Sequence, residues 1–524
     1  MATGSAKTQV QFADARLLLG DRLPKGSIYR LLADDGAHLF GDDYFADLYK
    51  DSPRGRPTIP ARVIATVMLL QSFEGLSDRE ACDRLGFDLK WQAAAGLPAA
   101  AEAFHPTVLV GMRNRLRASE RPRRLFEDTV ALAKRSGVLK GRTRVLDSTP
   151  LLDAVATQDT VTMLRAAIRG LLRTASGEQQ ATIRAALSRD DDYQAPGKPS
   201  CDWDDPAARE QLVDALVRDA AAALGAIEGA KLDPITAQAA ELLGVVAGQD
   251  VAQGDDGVFR IVRGTARDRT ISTADPQARH GHKTAAKRFD GYKTHIAVEP
   301  GTEIFTGVAA SAANVTDAAV IDELLDDEQQ DEQQNEEQNE PVQIVADGAY
   351  ASGATLEDMR QRGIEMTVKV PPVRNPKGFS KDLFAVDMQA KTVSCPAGHT
   401  AAIHTTDKGS KASFAQHCGA CPLRAKCTKA RAGRTITIND HEAVLQEAKK
   451  RQRTPEFIAR YKAIRPKVER KIAHFVRKPW GGRKARCRGL ERIATDVDTR
   501  AGVLNLARLA GFGLRFTATG WATG

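Results

Sequence analysis

The strand signals of this chain are few, short and far apart, and that dispersal limits the folds open to it. TRVL at 143–146 runs into Asp147-Ser148-Thr149-Pro150, which reads as a short strand ending in an acid and stopped by proline. Strand signals return only after Arg269: THIAV at 294–298, FTGVAAS at 305–311, VQIVA at 342–346, which ends in Asp347-Gly348, and MTVKV at 366–370. In between, Leu151 to Gly248 is rich in Ala and Leu at helical spacing, as in MLRAAIRGLLRTA and QLVDALVRDAAAALGAI, broken near DDDYQAPGKPSCDWDDP. The pieces predict an α/β chain whose first strand is cut off from the rest by a helical insertion; two separate sheets are the alternative.

The flanks are helical. From about Asp42 to Leu139 apolar residues recur at helical spacing, with turn signals at GRPTIP, GLSD and AAGLP and a helix start at Ser77-Asp78 followed by Glu80. Arg113, Arg115 and Arg117 make the last helix of this unit basic, which suits either a DNA-docking unit or a bundle with an exposed charged face. A helix over DAAVIDELLDD precedes EQQDEQQNEEQNE, a polar tract unable to bury a core and read as a solvated loop. After a cysteine cluster the pattern is helical to the end, with a break at Trp480 to Gly482 and a final apolar helix around Val503 to Leu509. The expected divisions are a helical, DNA-binding N-terminal domain at 1–140, the first core strand at 141–150, a helical insertion at 151–260, the core continued at 261–388, a Cys-rich module at 389–432, and a C-terminal helical part of the core at 433–524.

The longest strongly apolar stretch, Val63 to Leu70, is far shorter than the roughly 20 residues of a membrane span, and MATGSAKTQV has no apolar signal core, so a cytoplasmic protein with no membrane partner is expected. Net charge is +8, and its distribution says more than its size. Between Lys449 and Arg488 stand sixteen Lys or Arg against two acids, Glu456 and Glu469. Positive charge so concentrated points to phosphates. With aromatics at 5% of residues, serial base stacking is disfavoured and contact with a duplex backbone is expected.

Phosphodiester cleavage without a covalent intermediate needs an activated hydroxyl and a stabilised leaving oxygen, which two Mg²⁺ ions about 4 Å apart supply together. Such ions want oxygen ligands, and three carboxylates on rigid elements suffice. Asp147 and Asp347 each stand where a strand signal ends, the edge at which open α/β sheets bind ligands. A lone Asp after a strand is more often a turn or helix cap, so a third acid matters. It comes in Arg465-Pro466-Lys467-Val468-Glu469-Arg470-Lys471-Ile472-Ala473-His474-Phe475, read as a helix starting at Pro466 with Val468, Ile472 and Phe475 on its apolar face and Glu469 beside it.

With these motifs in view, the chain resembles the DDE transposases of bacterial insertion sequences, in the group with a Tyr-Arg-Glu-Lys signature. GRPTIPARVIATVMLLQSFEGLSDREACDRLGFDLKW resembles the family's helical N-terminal domain, VLDSTP its first acidic motif, STADPQARHGHKTAAKRFDGYKTHIAV its second strand region, IVADGAY its second acidic motif and RPKVERKIAHF its third. The resemblance implies an RNase H-like mixed sheet with the first and fourth strands adjacent, Asp147, Asp347 and Glu469 as catalytic metal ligands, and two Mg²⁺ or Mn²⁺ ions. It also implies double-stranded DNA partners (terminal inverted repeats and target), a homodimer or higher oligomer on DNA, and a bacterial, nucleoid-associated location. Tyr461 and Arg465 answer to the signature with a gap one residue longer than usual, and Val476 and Arg477 stand where Lys is expected. The expected DNA contacts are Arg279, Lys283, Lys293, Tyr461, Arg465, Arg470, Lys471 and Arg477. The other readings are a structure-specific nuclease that does not rejoin, and a catalytically silent DNA-binding protein.

Four of the seven cysteines crowd into Cys395 to Cys427. Cys395, Cys418, Cys421 and Cys427 predict a structural, tetrahedral Zn²⁺, with His399 either a ligand or a flanking residue; a redox C-x-x-C is the competing reading, and the Gly- and Lys-rich surroundings do not favour it.

Overall fold

In the computed structural model, which describes residues 13–49, 58–191, 193–195, 197–284, 286–326, 341–407, 409–477 and 482–524, the N-terminal helix signals are realised as α1 (Ala15–Leu19), α2 (Ile28–Leu39), α3 (Ala61–Glu74), α4 (Asp78–Phe87), α5 (Leu89–Ala94), α6 (Thr107–Arg117) and α7 (Arg124–Arg135). Ser77 and Glu80 form the capping box that starts α4. The VIATVMLL run of α3 is buried on every side, as a helix apolar all round must be.

β1 (Thr143–Leu152) follows, then α8 (Thr160–Thr174), α9 (Gly177–Ala186), α10 (Pro206–Gly225), α11 (Pro234–Gln249) and a hairpin of β2 (Val251–Gln253) and β3 (Phe259–Ile261). These four helices close over a hydrophobic core of their own, from Val161 to Val246. The main sheet is completed by β4 (Arg279–Thr284), β5 (Lys287–Val298), β6 (Phe305–Ala312), β7 (Gln343–Ala346) and β8 (Glu365–Val368), with α12 (Gly353–Gln361) between the last two. Its order is β4-β5-β1-β7-β8, with β6 pairing β5 beyond β4. β1 is antiparallel to β5 and parallel to β7, and β7 is parallel to β8. All the strand signals therefore enter one mixed sheet, and the two-sheet alternative falls.

β1 does not stop at Pro150. From Leu146 to Leu151 its ladder partner is β5 alone, and a strand with one open side tolerates the missing N–H of a proline. Gly291 of β5 has φ +128 and lies so close to the end of β1 that a Cβ would sit 2.5 Å from the backbone N of Asp153.

A smaller antiparallel sheet holds the cysteine region, in the order β13-β12-β11-β10-β9: β9 (Ala385–Asp387), β10 (Thr392–Ser394), β11 (Thr400–Thr406), β12 (Gly409–Ser413) and β13 (Thr435–Ile438), with short helices α13 (Ala415–Cys418) and α14 (Arg424–Cys427) between the last two. Its strands alternate small and polar residues too weakly to be read beforehand. Helices α15 (Glu442–Arg451), α16 (Pro455–Phe475) and α17 (Leu490–Gly511) and a terminal hairpin of β14 (Arg515–Thr517) and β15 (Gly520–Ala522) end the chain. The helix expected to start at Pro466 starts at Pro455 under a Thr454 cap, with Pro466 inside it. Pro466 and Lys462, whose carbonyl the proline leaves without an amide partner, are both exposed, so the missing bond falls on the solvent side of the helix.

The sheet separates two cores. On one face Val145, Ile296 and Val308 join α16, α17 and the N-terminal helices in a single cluster running from Ile28 to Leu514. On the other, Leu146, Ala297 and Ile344 pack with Tyr350, Leu356 and Met359. The polar tract EQQDEQQNEEQNE and the break at Trp480 lie outside the described residues.

Candidate active site

Strand register brings the first two acids together. In the parallel pairing of β1 with β7, Val145 stands opposite Val345, and Asp147 and Asp347 each follow two residues later. They leave neighbouring strands, spaced about 4.8 Å apart, at the same level. There β7 ends, and Asp347 turns the chain by accepting the Ala349 N–H at 2.9 Å on a carboxylate oxygen.

Helix α16 supplies the rest. Tyr461, Arg465 and Glu469 succeed one another at i, i+4 and i+8, so the extra residue in the Tyr-to-Arg gap still leaves the two on one face. The Arg465 guanidinium reaches across β1. Its Nη1 donates to the Leu146 carbonyl at 2.7 Å, its Nη2 lies 2.7 Å from Asp147 Oδ2 and 4.0 Å from Asp347 Oδ2, and its Nε lies 4.0 Å from Glu469 Oε1. One cation thus binds Asp147 and lies 4.0 Å from each of the other two carboxylates. Their side chains open from 11% exposed at Asp147 through 41% at Asp347 to 65% at Glu469, a gradient from floor to mouth. Burial pushes the Asp147 carboxyl above the usual range against the pull of Arg465, while Arg465, though buried, is held above its ordinary value by Asp147.

The three acids line one cavity of about 650 Å³, together with Lys283, Lys293, Tyr461, Arg465 and Arg483. The other expected DNA contacts are not in it. Arg279 pairs with Asp268 at 2.8 Å. Arg470 pairs with Glu303. Lys471 is 4% exposed with its ammonium over the Phe305 ring, and burial lowers it to about 8. Arg477 lies just past α16. Linear density of charge, which marks these cations in the sequence, says nothing of which side of a helix each occupies. Lys293 is in the cavity but committed, donating to the Val315 carbonyl at 2.7 Å and to Asp317 at 2.8 Å. Asp317 itself, which also accepts from Ser148 Oγ at 2.7 Å, escaped the sequence reading, as did Arg483; an acid two residues after Asn314-Val315 at the close of a strand is the signal that could have found the first.

The cysteine cluster converges too. Cys395, His399, His417, Cys418, Cys421 and Cys427 line one small pocket, all four thiols free, and the Arg434 backbone N–H points at Cys418 Sγ at 3.3 Å. His417 is a further residue that the sequence alone did not mark. Among the described residues no group of three or more His, Cys, Asp or Glu is drawn together closely enough to hold a metal ion, at either place.

Two family models match the chain: a transposase DDE domain over residues 263–506 and a transposase domain of the DUF772 family over residues 18–115. No curated protein and no solved structure matches it. Fold, acid-lined cavity and matches together define an enzyme that acts on DNA. The chain belongs to the DDE transposases of insertion sequences. Enzymes with this domain work with divalent metal ions. The DDE match takes in Asp347 and Glu469, whereas Asp147 lies ahead of it across the helical block. Among the described residues no helix is long and apolar enough to cross a membrane.

Proposed function

We propose that Asp147, Asp347 and Glu469 are the carboxylates with which this transposase cuts the ends of its element at the terminal inverted repeats and joins the freed 3′-hydroxyls to target DNA, on an RNase H-like core. The observation that carries the reading is the parallel register of β1 and β7, which sets Asp147 beside Asp347 although 200 positions separate them. Asp147, Asp347 and Glu469 bring oxygen donors of the kind a hard divalent cation takes to one cavity, where Arg465 now stands among them. Those three carboxylates would hold two Mg²⁺ or Mn²⁺ ions, which would supply activation of the nucleophile and stabilisation of the leaving oxygen. The chain's own part is orientation. The Ser148 N–H fixes one Asp147 oxygen at 2.8 Å, the Ala349 N–H fixes Asp347, and Arg465 ties the strand carbonyl at Leu146 to the acids. Lys283 and Arg483, both exposed, meet the phosphates of the incoming end, and the half-buried Tyr461 offers its ring beside them.

The Cys395, Cys418, Cys421 and Cys427 thiols, with His399 at the same pocket, hold a structural Zn²⁺ in this reading; four free, soft sulfur donors in one pocket and a backbone N–H donated to sulfur support it. The enzyme acts in the cytoplasm at the nucleoid, as a dimer or higher oligomer on DNA.

The test is a supercoiled plasmid carrying the cognate ends. Metal-dependent end cleavage with joined products is expected, lost in Asp147→Ala while DNA binding stays. Cleavage without joined products establishes a nuclease instead, and binding without cleavage in Mg²⁺ and Mn²⁺ overturns the catalytic reading.

A further inference from the structure

We propose that a second, basic cleft, between the N-terminal helices and the start of α17, holds the phosphate backbone of the duplex that continues outward from the acid cavity. The two places are joined by a few residues of chain. Arg483 lines the acid cavity and donates from Nε to Thr149 Oγ1 at 3.1 Å, and its carbonyl accepts the Leu152 N–H at 2.6 Å. Ala485 donates back to the Leu152 carbonyl at 2.7 Å, so this stretch is pinned to the end of β1. Arg486 comes three residues after Arg483, within about 10 Å of extended chain, and lines the second cleft with a guanidinium donated to the Leu76 carbonyl.

That cleft has a volume of about 620 Å³. Its walls carry Arg113, Arg117, Arg486 and Arg492 against two acids, Asp78 and Asp496. Asp78 is engaged by Arg113 and Asp496 by Arg500 at 2.8 Å, while Arg117 reaches Glu491 at 3.8 Å, so the exposed Arg486 and Arg492 carry the cleft's affinity for phosphate. The Thr495 and Thr499 hydroxyls on its wall donate to the Glu491 and Thr495 carbonyls, and among the described residues no aromatic ring lines the cleft. Guanidinium donors without a stacking platform fit a sugar-phosphate backbone and not splayed bases, which selects duplex over single-stranded DNA. Arg486, in the loop just ahead of α17, and Arg492, in its first turn, are both exposed, so the charge is held by the entry into α17 and not by one helix face alone. The inference rests on the cleavage reading only for which end of the duplex lies at the acids; the affinity of the cleft for a duplex does not depend on it.

The experiment titrates a fluorescent 30-base-pair duplex of random sequence with the full chain and measures affinity against NaCl. Each phosphate that the protein no longer neutralises lowers the slope of log affinity on log salt by about 0.9. Arg486→Ala with Arg492→Ala is expected to lower it by about two and to weaken binding at every salt concentration. The doubly conservative Arg486→Lys, Arg492→Lys chain keeps the slope, and Arg360→Ala, an exposed cation on α12 far along the sequence, leaves it unchanged. Equal thermal midpoints establish that all four chains are folded. A slope unaltered in the double alanine chain overturns the proposal, as does a single strand of the same length that competes as well as the duplex. A wild-type chain that binds with the full slope yet fails to cut in Mg²⁺ or Mn²⁺ sinks the cleavage reading and leaves the cleft standing.

Discussion

The acid cavity and the cysteine pocket both gather side chains of metal-ligating type, and they do so by opposite routes. Asp147, Asp347 and Glu469 come from two strands and a helix spread over most of the chain and meet because the central sheet holds its register. Cys395 to Cys427 come from one local stretch of strands and short helices and meet beside a small sheet with its own core of Phe384, Val393, Phe414 and Ile436. The acids already have a cation among them in Arg465, whereas the thiols face a pocket lined largely by apolar groups. A site assembled at a distance depends on the whole core, and a local one depends on its module.

Substitutions can break that contrast. Asp147→Ala should lower end cleavage by about a thousandfold or more, the scale of several kcal/mol of lost charge stabilisation, with duplex affinity retained. Cleavage above a tenth of the wild-type rate would remove Asp147 from the reaction. Arg465→Ala leaves Asp147 and its neighbours in a half-buried site without their cation, and breaking such a pair costs about 3 kcal/mol in urea unfolding; a loss under about 1 kcal/mol would show that the pair does not hold the site together.

The cysteine half is sharpened by metal content. Cys418→Ser with Cys421→Ser should remove one zinc per chain and lower the stability of the module by about 2 kcal/mol or more, with a far smaller effect on cleavage than Asp147→Ala. A wild-type chain purified without zinc would leave the pocket a small apolar core and nothing more. The smallest effect concerns Lys471, lowered to about 8 by burial. Below that pH its charged form is penalised in full in the folded chain. Between about 8 and its ordinary value of 10.5 the unfolded chain binds a proton that the folded one has released, so stability rises with pH across that window. Lys471→Met should flatten the rise and stabilise the chain by about 1 to 2 kcal/mol near neutral pH; a destabilised variant would show that the ammonium is needed where it lies.

The contrast also explains what could be read beforehand. Strand signals ending in Asp147 and Asp347 announced the sheet, and the local cysteine spacing announced a pocket, because each is written in a few consecutive residues. The pairing of Val145 with Val345 is not written locally at all; only motif resemblance linked the two acids across the insertion. Pro150 and Pro466 read as breaks because the cost of a proline depends on its surroundings, and one stands on an open strand side and the other on a solvent face. The direction of the Lys471 and Arg470 side chains escaped for the same reason. Basic residues in a row look equivalent until a helix divides them between the core, an acid such as Glu303, and the cavity. Arg483 and Asp317 were missed because each is ordinary in its own neighbourhood and acquires meaning only from what the fold sets across from it.

The central claim is that three distant carboxylates form one metal centre. Replacing Mg²⁺ with Fe²⁺ and generating hydroxyl radicals from the bound ion cuts the polypeptide wherever it approaches the metal, and mass spectrometry reads the cuts. Breaks clustered near residues 147, 347 and 469 together, suppressed by excess Mg²⁺ and absent in Asp147→Ala, are the expected result. Breaks at only one of the three places, or a pattern unchanged in Asp147→Ala, would contradict it.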